Sequence, residues 1–175
     1  MKLLDSEVIY KGSIFSLRKD KIEIDNNLEV IRDVIEHPGA VVILPVLANG
    51  NLIVIKQYRH SIGRHILEFP AGALEAGEDP DSCASRELME EIGKYPNSLK
   101  SIGTLYPTPG FCDEIQYCYV AKDLIDRKLE GDIDEQIEVL TMTPSELELS
   151  MKNNEFCDAK SIAIYYKAKI LGMVA

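Results

Sequence analysis

Between positions 68 and 93 lie eight acidic side chains, Glu68, Glu75, Glu78, Asp79, Asp81, Glu87, Glu90 and Glu91, against a single cation, Arg86. Residues three and four apart on an α-helix share a face, with attachment points roughly 5–6 Å apart. A helix through this segment therefore sets Glu87 beside both Glu90 and Glu91. Carboxylates that close repel one another unless a cation stands among them. Hard oxygen donors at this density suit magnesium, which takes oxygen ligands at about 2.0–2.1 Å and usually keeps water or substrate phosphates as its other ligands. Most charge runs are solvated helix faces. Against that reading stand the repelling spacing, the shortage of local cations, and Gly72 and Gly77, which leave the preceding loop free to turn tightly.

The carrier of these groups reads as a helix over residues 80 to 92. Asp79 is a good N-cap, Pro80 suits the first helical position and Gly93 is a natural terminator. Ala84, Leu88 and Ile92 lie on another stripe that can anchor the helix to a core. Ahead of it, residues 8 to 36 read as short strands, with Lys21-Ile22-Glu23-Ile24 alternating at period two before the turn Asp25-Asn26-Asn27. They predict an antiparallel N-terminal sheet whose exposed edges favour a homodimer. The apolar run Ala40-Val41-Val42-Ile43-Leu44-Pro45-Val46-Leu47 has the character of a buried strand. Asn49-Gly50 signals a hairpin, and Leu52-Ile53-Val54-Ile55 returns from it. Further strands are expected near 99–106, at 114–121 and over Ile137–Met142, after which Thr143-Pro144 opens a short helix. Residues 158 to 171 have helical spacing, with Ile162, Tyr165, Tyr166 and Ile170 on one side. Elements mixed in this order predict an α/β layered sandwich, divided into an N-terminal strand region over 1–37 and a main domain over 38–175.

Composition narrows the function. The chain of 175 residues carries 19 basic and 29 acidic groups, a formal charge of -10. Such a surface repels a phosphate backbone, which disfavours nucleic-acid binding. A phosphate-bearing small molecule would meet the same repulsion unless a cation intervened. No apolar run approaches the roughly 20 residues that cross a bilayer, and the charges in the first seven positions do not suit a signal peptide. Cys83, Cys112, Cys118 and Cys157 have no zinc spacing and suit free thiols in a reducing cytoplasm. His37, His60 and His65 show no ligand spacing. Arg59 and Arg32 are candidates to grip a phosphate or a base, with surface ion pairing as the alternative for each. Glu68 suits either a substrate contact or a cap on local backbone. With no tryptophan, base stacking would fall to Tyr, Phe or Arg, with Phe15 and Phe111 as candidates.

The acidic segment resembles the signature G-x5-E-x7-R-E-U-x-E-E-x-G-U of the Nudix hydrolases, where U is aliphatic. Gly72, Glu78, Arg86, Glu87, Leu88, Glu90, Glu91 and Gly93 occupy its positions, and only the last aliphatic place departs, as Lys94. The resemblance implies an α/β/α sandwich with a mixed sheet, and hydrolysis of a nucleoside diphosphate linked to another moiety with Mg2+, for which Mn2+ substitutes. Glu87 and Glu91 would be the main metal ligands, with Glu90 sharing ions or ordering water. The Ala71 carbonyl would join them, Arg86 would orient the glutamates, and Glu78 would have a supporting role. Glu36-His37-Pro38-Gly39-Ala40-Val41, Gln57-Tyr58-Arg59, Leu67-Glu68-Phe69-Pro70-Ala71-Gly72 and Asp158-Ala159-Lys160 are similar to the ADP-ribose pyrophosphatase branch. Pro109, with Gly110 and Phe111, resembles that branch's substrate-side loop. The branch draws its general base from an acidic loop, matched here by Asp132-Ile133-Asp134-Glu135. Glu135 aligns with a catalytic, metal-side acid, and Ile133 falls where a first acid is common, so Asp132, Asp134 or a box glutamate stays open for that role. Related hydrolases of GDP-mannose, other nucleotide sugars or dinucleoside polyphosphates share several of these marks. A nucleotide-sensing module without turnover is the remaining alternative.

Overall fold

The computed structural model describes residues 1–131 and 136–174. Three antiparallel strands open the chain: β1 (Lys2–Lys11), β2 (Ser16–Ile24) and β3 (Leu28–Glu36). The expected strand at Lys21-Ile22-Glu23-Ile24 is the second half of β2, which runs unbroken from Ser16 because β1 and β3 pair with it on both sides. β1 is exposed along its whole length.

The main body holds two sheets. One is mixed, in the order β7-β4-β9-β8, with β4 (Ala40–Pro45) parallel to β9 (Gln116–Asp126) and antiparallel to β7 (Ala71–Ala73); β8 (Lys94–Leu105) is antiparallel to β9. The other is antiparallel, in the order β10-β5-β6, from β5 (Leu52–Arg59), β6 (Arg64–Glu68) and β10 (Ile137–Met142). The chain turns at Gly50, whose φ of 84° is left-handed, but the expected hairpin is reduced to a single Val46–Leu52 bridge because β4 and β5 go to different sheets. β8 starts at Lys94, directly after the acidic helix and earlier than its pattern predicts. β6 and β7 were not expected. β7 is only Ala-Gly-Ala, poor strand formers, and it is extended because Val42 pairs with Ala71.

Alternation along β4 and β5 explains the layers. Val41, Ile43, Ile53 and Ile55 pack with Ala84, Leu88 and Ile92 of α1 (Pro80–Glu91). Val42, Leu44, Leu52 and Val54 face the other way, onto Leu147 of α2 (Pro144–Lys152) and Ile164, Tyr165 and Ala168 of α3 (Ala159–Ile170). Strands buried on both faces read as continuous apolar runs, and the result is an α/β/α sandwich. The face of α3 differs from expectation. Ser161, Ile164, Tyr165 and Ala168 are buried, whereas Tyr166 is exposed and Ile170 is 86% exposed. Both stripes have helical spacing, and the one that docks carries Ser161, whose Oγ accepts the Phe69 N–H at 2.8 Å.

The N-terminal sheet joins the body at the end of β3. Ile35 N–H donates to the Phe111 carbonyl at 2.7 Å, and Asp113 N–H returns to the Ile35 carbonyl at 3.0 Å. Arg18 meets Asp20 at 3.1 Å, Glu36 at 2.5 Å and Asp113 at 3.6 Å across the same junction. Among the described residues, no helix is long and apolar enough to cross a membrane, and all four cysteines are free thiols.

Candidate active site

The acidic helix is seated from both ends. The Asp79 carboxylate accepts hydrogen bonds from the N–H groups of Asp81 and Ser82 at 3.0 and 3.3 Å, and Pro80 follows in the first turn. Tyr119 of β9 donates its hydroxyl to Asp81 at 2.5 Å, tying that turn to the sheet. Gly93, with φ of 66°, ends the helix. Cys83, Ala84 and Leu88 enter the core, which turns Glu87, Glu90 and Glu91 toward the loop that precedes the helix.

Arg86 organises that edge. Its Nε and Nη2 grip the two Glu78 oxygens at 2.9 Å each, and Nη1 donates to Glu87 at 2.6 Å and to Glu90 at 2.8 Å. Nη2 also reaches the Ala73 carbonyl at 3.3 Å. The hydrogen bond from Arg86 outweighs burial and holds the Glu78 carboxyl down at about 2. The same Glu78 contact, with the charge of Glu87 and the hydrogen bond to Glu90, outweighs burial and raises Arg86 above the ordinary arginine value. Part of the glutamate repulsion is thus relieved by the chain's own guanidinium.

Glu87 and Glu91 are 8% and 6% exposed. A Cβ on Gly72 would lie 2.0 Å from the Glu87 carboxylate, so only glycine lets that side chain pass. Gly72 therefore serves close approach, while the left-handed turn that the loop needs falls on Gly77, at φ of 81°. Glu91 accepts from the Ala71 N–H at 3.0 Å, so strand β7 touches both buried glutamates. Among the described residues no three acidic, histidine or cysteine side chains form a ready metal ligand set. The chemistry of the donors nevertheless fits a hard divalent cation: oxygen donors only, two of them nearly buried, with glycine at the point of closest approach. The cleft here, about 440 Å³, is lined by Gly72, Arg86, Glu87, Glu90, Arg59 and Ile14 among others. Ile14, from the β1–β2 connection, carries no chemical signal in the sequence.

The remaining candidates divide. Arg59 lies on the cleft wall and pairs with Glu68 at 2.6 and 2.8 Å. Glu68 is completely buried, and its carboxylate is held by side-chain cations rather than by the local backbone. Arg32, Pro109, Gly110 and Phe111 come together, but in a separate cavity of about 360 Å³ between β3 and the 106–113 loop. At the C-terminal end of the helix, Glu90 and Glu91 line a further cavity of about 310 Å³ with Lys128 and Gly131. Glu135 lies outside the described residues, as do Asp132, Ile133 and Asp134. Burial raises the thiols of Cys83 and Cys118 to about 12 and about 11, so neither acts as a nucleophile at neutral pH.

The model of the NUDIX domain matches residues 36–163. The chain belongs to the Nudix family. A Nudix relative from Bacillus subtilis (strain 168), an ADP-ribose pyrophosphatase, is 38% identical over 94% of this chain and 91% of its own length. A GDP-mannose pyrophosphatase of Yersinia enterocolitica is 30% identical over 97% of this chain and 95% of its own. A solved ADP compounds hydrolase superposes with a TM-score of 0.85 over 99% of this chain and 98% of its own at 24% identity, and speaks for the Nudix fold alone.

Proposed function

We propose that the chain hydrolyses the pyrophosphate bond of ADP-ribose, giving AMP and ribose 5-phosphate. The observation that carries this reading is the cleft in which Arg86 gathers Glu87 and Glu90 opposite Arg59, joined to the name of the Bacillus subtilis relative. Glu87, Glu90, Glu91, the Ala71 carbonyl and Glu135 would hold Mg2+, or Mn2+ in its place. Bound there, the cation would neutralise the diphosphate and stabilise charge developing on its oxygens.

The chain's own groups do the rest. Arg86 orients Glu87 and Glu90 by charge-assisted hydrogen bonds. Arg59 offers a planar cation to the substrate's phosphates. A carboxylate takes the proton of the attacking water, and Glu135 or Glu90 is the group assigned to it. Arg32, Pro109, Gly110 and Phe111 would receive a more distant part of the substrate. GDP-mannose is the second reading, favoured by the Yersinia enterocolitica relative. The free thiols fit a cytoplasmic setting, and the exposed apolar side chains of the N-terminal sheet fit a homodimer.

The deciding experiment follows AMP or sugar-phosphate release from ADP-ribose, GDP-mannose and a dinucleoside polyphosphate with Mg2+. ADP-ribose turnover about tenfold or more above GDP-mannose is expected, a difference of about 1.4 kcal/mol in transition-state binding. The reverse order rejects the substrate, and binding without turnover of any compound points to a sensor. Glu135→Gln is expected to slow release more than Asp134→Asn, and negligible effects of both would place the base elsewhere.

A further inference from the structure

The tripeptide Asp158-Ala159-Lys160 has no part in the cleft described above. Asp158 caps α3 by accepting the Ser161 N–H at 3.0 Å, and pairs with Lys160 at 3.1 Å. Lys160 Nζ continues to Glu68 Oε2. The two Glu68 oxygens also receive Nε and Nη2 of Arg59. Four charges of alternating sign therefore run from the start of α3, through the end of β6, to the cleft wall.

We propose that Lys160 is a positioning residue: by clamping the buried Glu68 carboxylate it fixes the direction in which Arg59 faces the substrate diphosphate. This rests on the reading that a nucleoside diphosphate occupies the cleft. A guanidinium is a rigid planar fork. Once its Nε/Nη2 edge is pinned, the direction of every other donor is set. The terminal torsion of a glutamate is broad, so a carboxylate held by Arg59 alone can swing and carry the guanidinium with it. A second cation on Oε2 stops that motion. An ammonium suits the task because its compact charge and three donors reach Glu68 and Asp158 together. Lys160 itself touches no reacting group, so its loss should weaken substrate binding and spare the chemical step.

The test compares wild-type, Lys160→Met and Lys160→Arg proteins in steady-state kinetics with ADP-ribose and GDP-mannose. It also follows hydrogen exchange at the Arg59 Nε–H by 15N NMR, the signal assigned through Arg59→Lys. In K160M the KM for the preferred compound is expected to rise about tenfold, with kcat within about threefold. K160R is expected to recover at least half of that loss on a logarithmic scale. The Arg59 Nε–H, protected in wild type and K160R, should exchange about tenfold faster or more in K160M, in line with loss of its fixed geometry. If K160M does not fold, Lys160→Gln takes its place in both measurements. Wild-type KM with unchanged exchange overturns the proposal, as does a fall in kcat at constant KM. Failure of wild type to turn over either compound would reject the function reading instead, and the exchange measurement would still decide what Lys160 does to Arg59.

Discussion

Gly72 and Glu91 show how little room the acidic cluster has. A methyl group on Gly72 would fall inside the Glu87 carboxylate, so Gly72→Ala must push Glu87 off Arg86 or pull β7 off β4. A displacement of about 1 Å in a catalytic group costs on the order of a hundredfold in rate, and Gly72→Ala is expected to lose about that in kcat while unfolding remains cooperative by circular dichroism. A variant with wild-type kcat would show that Glu87 does not need its present place. Glu91→Gln keeps the shape and the acceptor for Ala71 N–H but removes one charge. Turnover should fall about a hundredfold or more with the fold retained, and an unaltered rate would remove Glu91 from the metal site. At this scale the sequence was most legible where helical spacing sets Glu87 and Glu90 within reach of Arg86, whereas Glu91 turns to the Ala71 N–H. It misplaced the use of Gly72, since close approach between a strand and a helix side chain leaves no local pattern. It also left open whether Glu68 faces substrate or core, because burial is a property of the assembled fold.

Elements were legible where their chemistry is local. Caps at Asp79 and Thr143 and the termination at Gly93 follow from side-chain hydrogen bonds and backbone freedom within a few residues. β7 and the docking face of α3 were not, because each is chosen by a partner distant in sequence. Glu68 is such a long-range tie, joining β6 to α3 through Lys160 and to β5 through Arg59. Burial pushes its carboxyl up, but the hydrogen bond from Arg59 and the charge of Lys160 together hold it below the ordinary value. A carboxyl whose folded pKa lies below the unfolded value of about 4.3 adds stability that is complete above that pH and is lost as pH falls through the folded pKa. Glu68→Gln is therefore expected to cost about 3 kcal/mol at pH 7, the scale of breaking a buried ion pair from one side. It should also flatten the acid limb of the stability curve below about pH 4. Urea melts at pH 7 and pH 3.5 measure both. A variant that loses as much stability at pH 3.5 as at pH 7 would mean that the Glu68 charge does not stabilise the fold.

At the scale of the whole molecule, the N-terminal sheet is the part that a single chain leaves unfinished. Leu3, Val8, Ile9, Tyr10 and Ile14 are each at least half exposed, and β1 offers an unpaired edge on a sheet order that ends with it. Exposed apolar side chains on a strand edge favour association, and an open strand edge is a template for pairing with another chain. The sheet meets the body through the end of β3 and the Arg18 cluster, and β1 stays exposed along its whole length. The net charge of -10 opposes indiscriminate clustering of chains, which agrees with the homodimer proposed above. Light scattering at micromolar concentration is expected to give twice the 19.6 kDa chain mass. Val8→Glu combined with Tyr10→Glu should shift the protein to the monomer, because burying two carboxylates without partners costs several kcal/mol. Ile14, from the β1–β2 connection, lines the cleft proposed to bind substrate, so the monomeric variant is expected to bind substrate more weakly as that connection loosens. A wild-type protein that stays monomeric, or a doubly acidic variant that still scatters as a dimer, would place the contact elsewhere or nowhere.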